Sequence, residues 1–161
     1  MTTIRQRASR ARLLILTSLV LAMSNAPARA SSANFVLSSQ DIDLGQPEEV
    51  FENGQPQPPR YATKVELGQP FTLIAQGWVY PRSSDPKVAK GSPATAEAAR
   101  WRFDDEDFKL LEHDARHFDE TMTVVRLQPT TIGRTRIRFQ GQVLGYERTF
   151  DILIDIIAAK E

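Results

Sequence analysis

Gly133-Arg-Thr-Arg-Ile-Arg-Phe139, a turn around Gly141 and Gly145, and Arg148-Thr-Phe-Asp-Ile-Leu-Ile-Asp-Ile156 form the stretch that decides the fold. In the first half Thr135, Ile137 and Phe139 alternate with Arg134, Arg136 and Arg138, the period of a strand with one face buried. In the second half Phe150, Ile152, Ile154 and Ile156 alternate with Asp151, Leu153 and Asp155. Both apolar sets must reach the same core, and a slip of one residue would turn every side chain over. Opposing residue numbers must therefore sum to an odd number. A sum of 289 sets Phe139 against Phe150 and Ile137 against Ile152. On the other face it sets Arg138 against Asp151 and Arg134 against Asp155, opposite charges that favour the pairing. Arg136 meets Leu153 and has no acid opposite, which makes it the arginine most available to a partner.

Upstream of this hairpin the pattern is also β. Strands are expected at Tyr61–Leu67, Phe71–Tyr80, Trp101–Phe103, Phe108–Leu111 and Thr121–Leu127, punctuated by Gly68-Gln-Pro70, the acidic turn Asp104-Asp-Glu-Asp107 and Gln128-Pro-Thr-Thr-Ile-Gly133. In Phe71–Tyr80 both parities carry apolar residues, so periodicity leaves its core face open. Gly77 within it marks a bulge or a close approach of backbone. Pro81–Ala99 interrupts the pattern with Ser, Pro, Lys and Ala, and one helical turn is read at Thr95–Ala99. His113–Glu120 reads as a polar loop.

Residues 1–30 have the composition of an export signal. A basic stretch, Met1–Arg12, precedes an apolar run of 11 residues, Leu13–Met23, and Ala28-Arg29-Ala30 fits small-x-small cleavage before Ser31. The run is short of the roughly 20 residues that span a bilayer as a helix, so no transmembrane span is expected after cleavage. Residues 31–59 are rich in Pro, Gln and Glu and read as an extended arm or linker, with Phe35-Val-Leu37 able to add a short strand at a sheet edge. Residues 60–161 form the domain. The fold class expected is therefore all-β: a two-sheet antiparallel sandwich of about seven strands, preceded by a signal peptide and a Pro/Gln-rich arm.

Five of the 20 basic residues (Arg5, Arg7, Arg10, Arg12 and Arg29) and none of the 20 acidic ones lie in residues 1–30, so a chain beginning at Ser31 carries a formal charge of −5. That balance argues against nucleic acid as a partner. With no cysteine, disulfides, thiol catalysis and thiolate metal sites are excluded.

Val65-x-Leu-Gly68-x-x-Phe71-x-Leu73 resembles the strand–turn–strand opening of bacterial immunoglobulin-like modules. Trp101 stands where such folds place a core aromatic. Leu127-x-Pro129-x-x-x-Gly133-x-x-x-Ile137-x-Phe139 and Thr149-Phe150-x-Ile152 resemble their later strands. The resemblance spans about residues 60–158 and implies an immunoglobulin-like sandwich. Chagasin-like cysteine-protease inhibitors share this type of fold. Their Asn-Pro-Thr-Thr-Gly and Arg-Pro-Trp loop motifs are missing here, and Pro129-Thr-Thr-Ile-Gly133 lies in a different connection, so no inhibitory residue carries over.

Catalytic patterns are sparse. There is no Gly-x-Ser-x-Gly elbow and no phosphate-binding glycine loop, and both histidines lie together. No enzyme activity and no cofactor is expected. His113-x-x-x-His117 has a spacing suited to a metal only on a helix. Asp104 and Asp107 offer clustered carboxylates without the glycine of a calcium loop. These four are weak metal candidates beside the simpler reading of solvated loops. Loops on a rigid scaffold are where binding modules place function. The expected role is an exported, periplasmic or secreted module that binds a protein or an envelope component through its end loops. Trp78, Tyr80, Arg82, Lys87, Lys90 and Arg136 are its candidate binding residues. A protease inhibitor with diverged loops and a calcium- or metal-binding domain are the alternatives.

Overall fold

The computed structural model describes residues 32–80, 91–114 and 120–159, and every regular element among them is a strand. In chain order these are β1 (Ser32–Ser39), β2 (Glu48–Glu52), β3 (Gln55–Glu66), β4 (Phe71–Tyr80), β5 (Ser92–Pro93), β6 (Ala96–Arg102), β7 (Phe108–Asp114), β8 (Met122–Pro129), β9 (Gly133–Val143) and β10 (Tyr146–Ile157). They form two five-stranded sheets. Sheet A has the order β1-β4-β8-β7, with β5 also paired to β4, and sheet B has the order β2-β3-β10-β9-β6.

The hairpin β9–β10 adopts the register derived from its alternation. Phe139 lies opposite Phe150, Ile137 opposite Ile152, Arg138 opposite Asp151 and Arg134 opposite Asp155. Leu144 and Gly145 make the two-residue turn with φ of 51° and 78°, the left-handed pair that matches the twist of a tight hairpin. From sheet B, Ile137, Phe139, Ile152, Ile154 and Trp101 point inward. They meet Phe35, Leu37, Phe71, Leu73, Val125 and Leu127 from sheet A, and all are buried. Full burial of such side chains stabilises by about 1.5–3 kcal/mol each, before the entropy of ordering them is subtracted.

Several expectations need correction. Among the described residues the sandwich has ten strands rather than about seven, and it is not wholly antiparallel, because β3 and β10 pair in parallel with Tyr61 opposite Ile152. The stretch read as an arm belongs to the sandwich. β1 runs antiparallel to β4 at the edge of sheet A and buries Ala33, Phe35 and Leu37, so the strand read at Phe35-Val-Leu37 is real and longer. β2 and the first half of β3 form a second hairpin at the edge of sheet B. Prolines are tolerated there because an edge strand can leave one side of its backbone unpaired. The turn read at Thr95–Ala99 falls largely in β6, and His113 lies in β7 opposite Val125 rather than in a loop.

The core face of β4 is now settled. Phe71, Leu73, Ala75 and Gly77 point inward, so Trp78 and Tyr80 point away from the core. Trp78 thus lies on the outer face of sheet A, while Trp101 belongs to the core. Trp101 is buried on Phe139, with ring centroids 4.8 Å apart. Gly77 marks a close approach of backbone. Its N–H donates to Thr121 O at 2.8 Å, and its carbonyl accepts from Ala94 N–H at 2.9 Å. A Cβ here would lie 2.5 Å from Ala94 O. Gly77→Ala is expected to push the segment before β6 off β4 and to cost about 1–2 kcal/mol, read as a lower urea midpoint with an unchanged m-value.

Candidate binding face

The outer face of sheet B carries a row of charged residues across all five strands. Arg102 of β6 is opposite Arg138 of β9, Arg138 is opposite Asp151 of β10, Asp151 is opposite Arg60 of β3, and Arg60 is opposite Glu48 of β2. Residues in direct register project to the same side of a sheet, so three guanidiniums and two carboxylates share this row.

Asp151 sits at its centre and is only 4% exposed. The alternation made it an outward-facing residue, but outward here does not mean wet, because cationic side chains flank it. Arg138 binds it as a fork, Nε to Oδ1 at 2.7 Å and Nη2 to Oδ2 at 2.9 Å. Such planar two-point contacts are the strong form of the Arg–carboxylate pair. Hydrogen bonding to Asp151 raises the Arg138 pKa above its ordinary value, so this guanidinium stays charged. Arg136 lies diagonally, with Nη1 3.8 Å from Asp151 Oδ2. Arg136 does face Leu153, as the register requires, and its nearest acid is this diagonal one; the contact is long and the side chain remains 57% exposed.

Further along, Arg134 forks onto Asp155 at 2.7 and 3.2 Å. The hydrogen bond from Arg134, with the nearby charges of Arg134 and Lys64, holds the Asp155 carboxyl below its usual pKa, against a smaller opposing effect of burial. This pair is exposed and acts chiefly as a register lock, since solvent screens such contacts.

An open groove of about 450 Å³ lies at the β6 side of this face, lined by Arg102, Phe103, Asp104, Thr135, Arg136 and Arg138. Asp104 contributes as a turn former. Its Oδ1 accepts from Glu106 N–H at 2.9 Å, and its carbonyl accepts from Asp107 and Phe108 N–H. The hydroxyls of Thr130 and Thr131 donate to Glu106 O at 2.8 and 3.0 Å, which ties this acidic turn to the start of β9. Asp104 is therefore occupied in local structure, as is the backbone of Asp107. Among the described residues no group of three or more His, Cys, Asp or Glu is placed to hold a metal ion.

The candidates named from sequence thus divide. Arg136 and Asp104 meet in the groove. Trp78 and Tyr80 lie on the opposite side of the molecule, on the outer face of sheet A, packed so tightly over Gly91 that a Cβ there would meet the Tyr80 ring at 2.9 Å. Arg82, Lys87, Lys90 and His117 lie outside the described residues, as do residues 1–31. Arg102 and Arg138 were not among the binding candidates. The alternation Arg100-Trp101-Arg102 carried the signal for Arg102, but only the β6–β9 pairing puts it beside the hairpin arginines.

No family model matches the chain, and no curated protein matches it. Among solved structures it is similar to domains 4 and 5 of the S-layer protein SbsC. The identity is 12% and the TM-score 0.37, over 71% of this chain and 54% of that one. The fold class rests on the two sheets themselves, an all-β two-sheet sandwich. Among the described residues there is no helix long and apolar enough to cross a membrane.

Proposed function

We propose that this chain is an exported, non-catalytic module of immunoglobulin-like type that binds an anionic protein or envelope component in the groove on the outer face of sheet B. One observation carries the reading. Arg100, Arg102, Arg134, Arg136 and Arg138 project from two adjacent strands and outnumber the acids beside them: Asp155 and Asp151, which pair with Arg134 and Arg138, Glu97 at the far end of β6, and Asp104 in the groove, whose Oδ1 already accepts from Glu106 N–H. The mature chain is acidic, so this is a local concentration of positive charge on a molecule of the other sign, an arrangement that orients an anionic partner. The leader composition of residues 1–30 supports export, and the sparse catalytic patterns support a binding role. This reading moves recognition from the end loops to a sheet face.

The test is recovery of partners from envelope extracts by the purified chain and by Arg136→Glu. Arg136 is mostly exposed, so the variant keeps its fold. We expect its partners to be lost, and wild-type recovery to fall as salt screens the contact. Equal recovery by the two proteins overturns the reading.

A further inference from the structure

Resting on that reading, the geometry points to the form of the partner: an extended peptide segment alternating acidic and apolar residues, added to sheet B as a further strand along the first half of β9. β6 pairs with β9 only from Val143 back to Arg138, and the chain then leaves the sheet at Arg102. β10 lines the other side of β9 down to Gly133. Among the described residues, β9 from Gly133 to Ile137 therefore has a strand on one side and none on the other. In a strand, alternate residues direct their N–H and C=O to each side, so this half of β9 presents unpaired backbone groups. Five residues at roughly 3.3 Å each give an edge of about 16 Å, enough for a short strand.

The groove lies along this open edge, and its lining sets the side-chain preference. A strand placed in line with β6 sends alternate side chains outward and inward. Outward ones come beside Arg136 and its neighbour on the same face, Arg134, with Arg138, Arg102 and Asp104, whose Oδ1 already accepts from Glu106 N–H, at the end of the groove. Inward ones come beside Thr135 and Phe103. Acidic residues fit the first set and apolar residues the second. Main-chain bonds would supply affinity and the alternating pockets specificity, as in strand addition generally. Arginines on an edge also guard against self-association. That role is compatible with this one, because a cationic edge repels a second copy of itself and accepts an acidic strand.

The test uses a short synthetic peptide alternating glutamate and valine, its glutamine counterpart, and two forms of the glutamate peptide N-methylated at one or the other set of alternate residues. Binding to the purified chain is measured by calorimetry, with backbone amide shifts followed by NMR. We expect the glutamate peptide to bind and to shift amides between Gly133 and Ile137. The glutamine peptide should bind at least about tenfold more weakly. Only one of the N-methylated forms should lose binding, because only one set of peptide N–H groups faces β9. Equal binding by both N-methylated forms overturns strand addition while leaving anion recognition in place. Failure of every peptide, alongside extract partners that still depend on Arg136, overturns this inference alone. Failure of every peptide together with Arg136-independent recovery overturns both.

Discussion

Phe139→Ala is expected to destabilise the domain by about 3–5 kcal/mol, the range for truncating a large buried aromatic. Phe139 is fully buried at the middle of β9. It stands against Phe150 across one ladder and against Trp101 across the other. Its ring lies 4.7 Å from Phe35, nearly edge-on, and 4.8 Å from Trp101. Phe35 belongs to sheet A and the other two to sheet B, so one ring joins three strands of its own sheet to the edge strand of the opposite one. Gly141 leaves room for this cluster: a Cβ there would meet Phe35 at 2.8 Å and Phe139 at 3.0 Å. Such tight packing cannot collapse into the space a missing ring leaves. Domains of this size are stable by about 5–15 kcal/mol in total, so the loss removes a large share. Urea unfolding should show a strongly lowered midpoint, and near-UV dichroism should show loss of the aromatic signal. A midpoint near that of the unaltered chain would mean that Phe139 is not the link between the sheets.

The hairpin register was legible because two apolar sets of fixed parity leave few ways to pair, and the strand bearing three arginines had aspartates to meet. Legibility ended where pairing depended on distant segments. The prolines of Gln55–Pro59 argued for an arm, yet Asn53-Gly54 is a strong signal for a two-residue hairpin, and both residues have positive φ, 52° and 75°. That signal outweighs prolines whose missing N–H groups cost little at a sheet edge. In Phe71–Tyr80, apolar residues on both parities concealed the face, and only the strands on either side make Leu73 inner and Trp78 outer. Asp151 is the most instructive residue. Its parity was read correctly and its environment was not, because burial on an outer face arises from side chains of neighbouring strands. The groove was hidden for the same reason. Arg102 and Arg136 are 34 positions apart, and no local pattern joins them.

Asp151→Ala should act in opposite directions on stability and on anion binding. The carboxylate is buried and holds Arg138 at two points and Arg136 at longer range. Removing one partner of a fully buried pair costs about 3–5 kcal/mol. Here the Arg138 side chain is 37% exposed and can turn towards water, so about 2–3 kcal/mol is expected. The loss comes less from the missing attraction than from crowding Arg138, Arg136, Arg102 and Arg60 with Glu48, at the far edge of the row, as the carboxylate left in it. The same crowding makes the face a stronger anion site, so the glutamate–valine peptide should bind Asp151→Ala more tightly, with a steeper dependence on salt. Arg138→Ala made alone and together with Asp151→Ala completes a double-mutant cycle. If the pair acts as a unit, the double variant will be less destabilised than the two single losses added together. A loss below about 1 kcal/mol for Asp151→Ala, the range of exposed ion pairs, would mean that water reaches the carboxylate and that the row is a surface ladder. Tighter peptide binding with a large stability loss would instead identify Asp151 as the internal counter-ion that a partner's acidic side chain has to compete with.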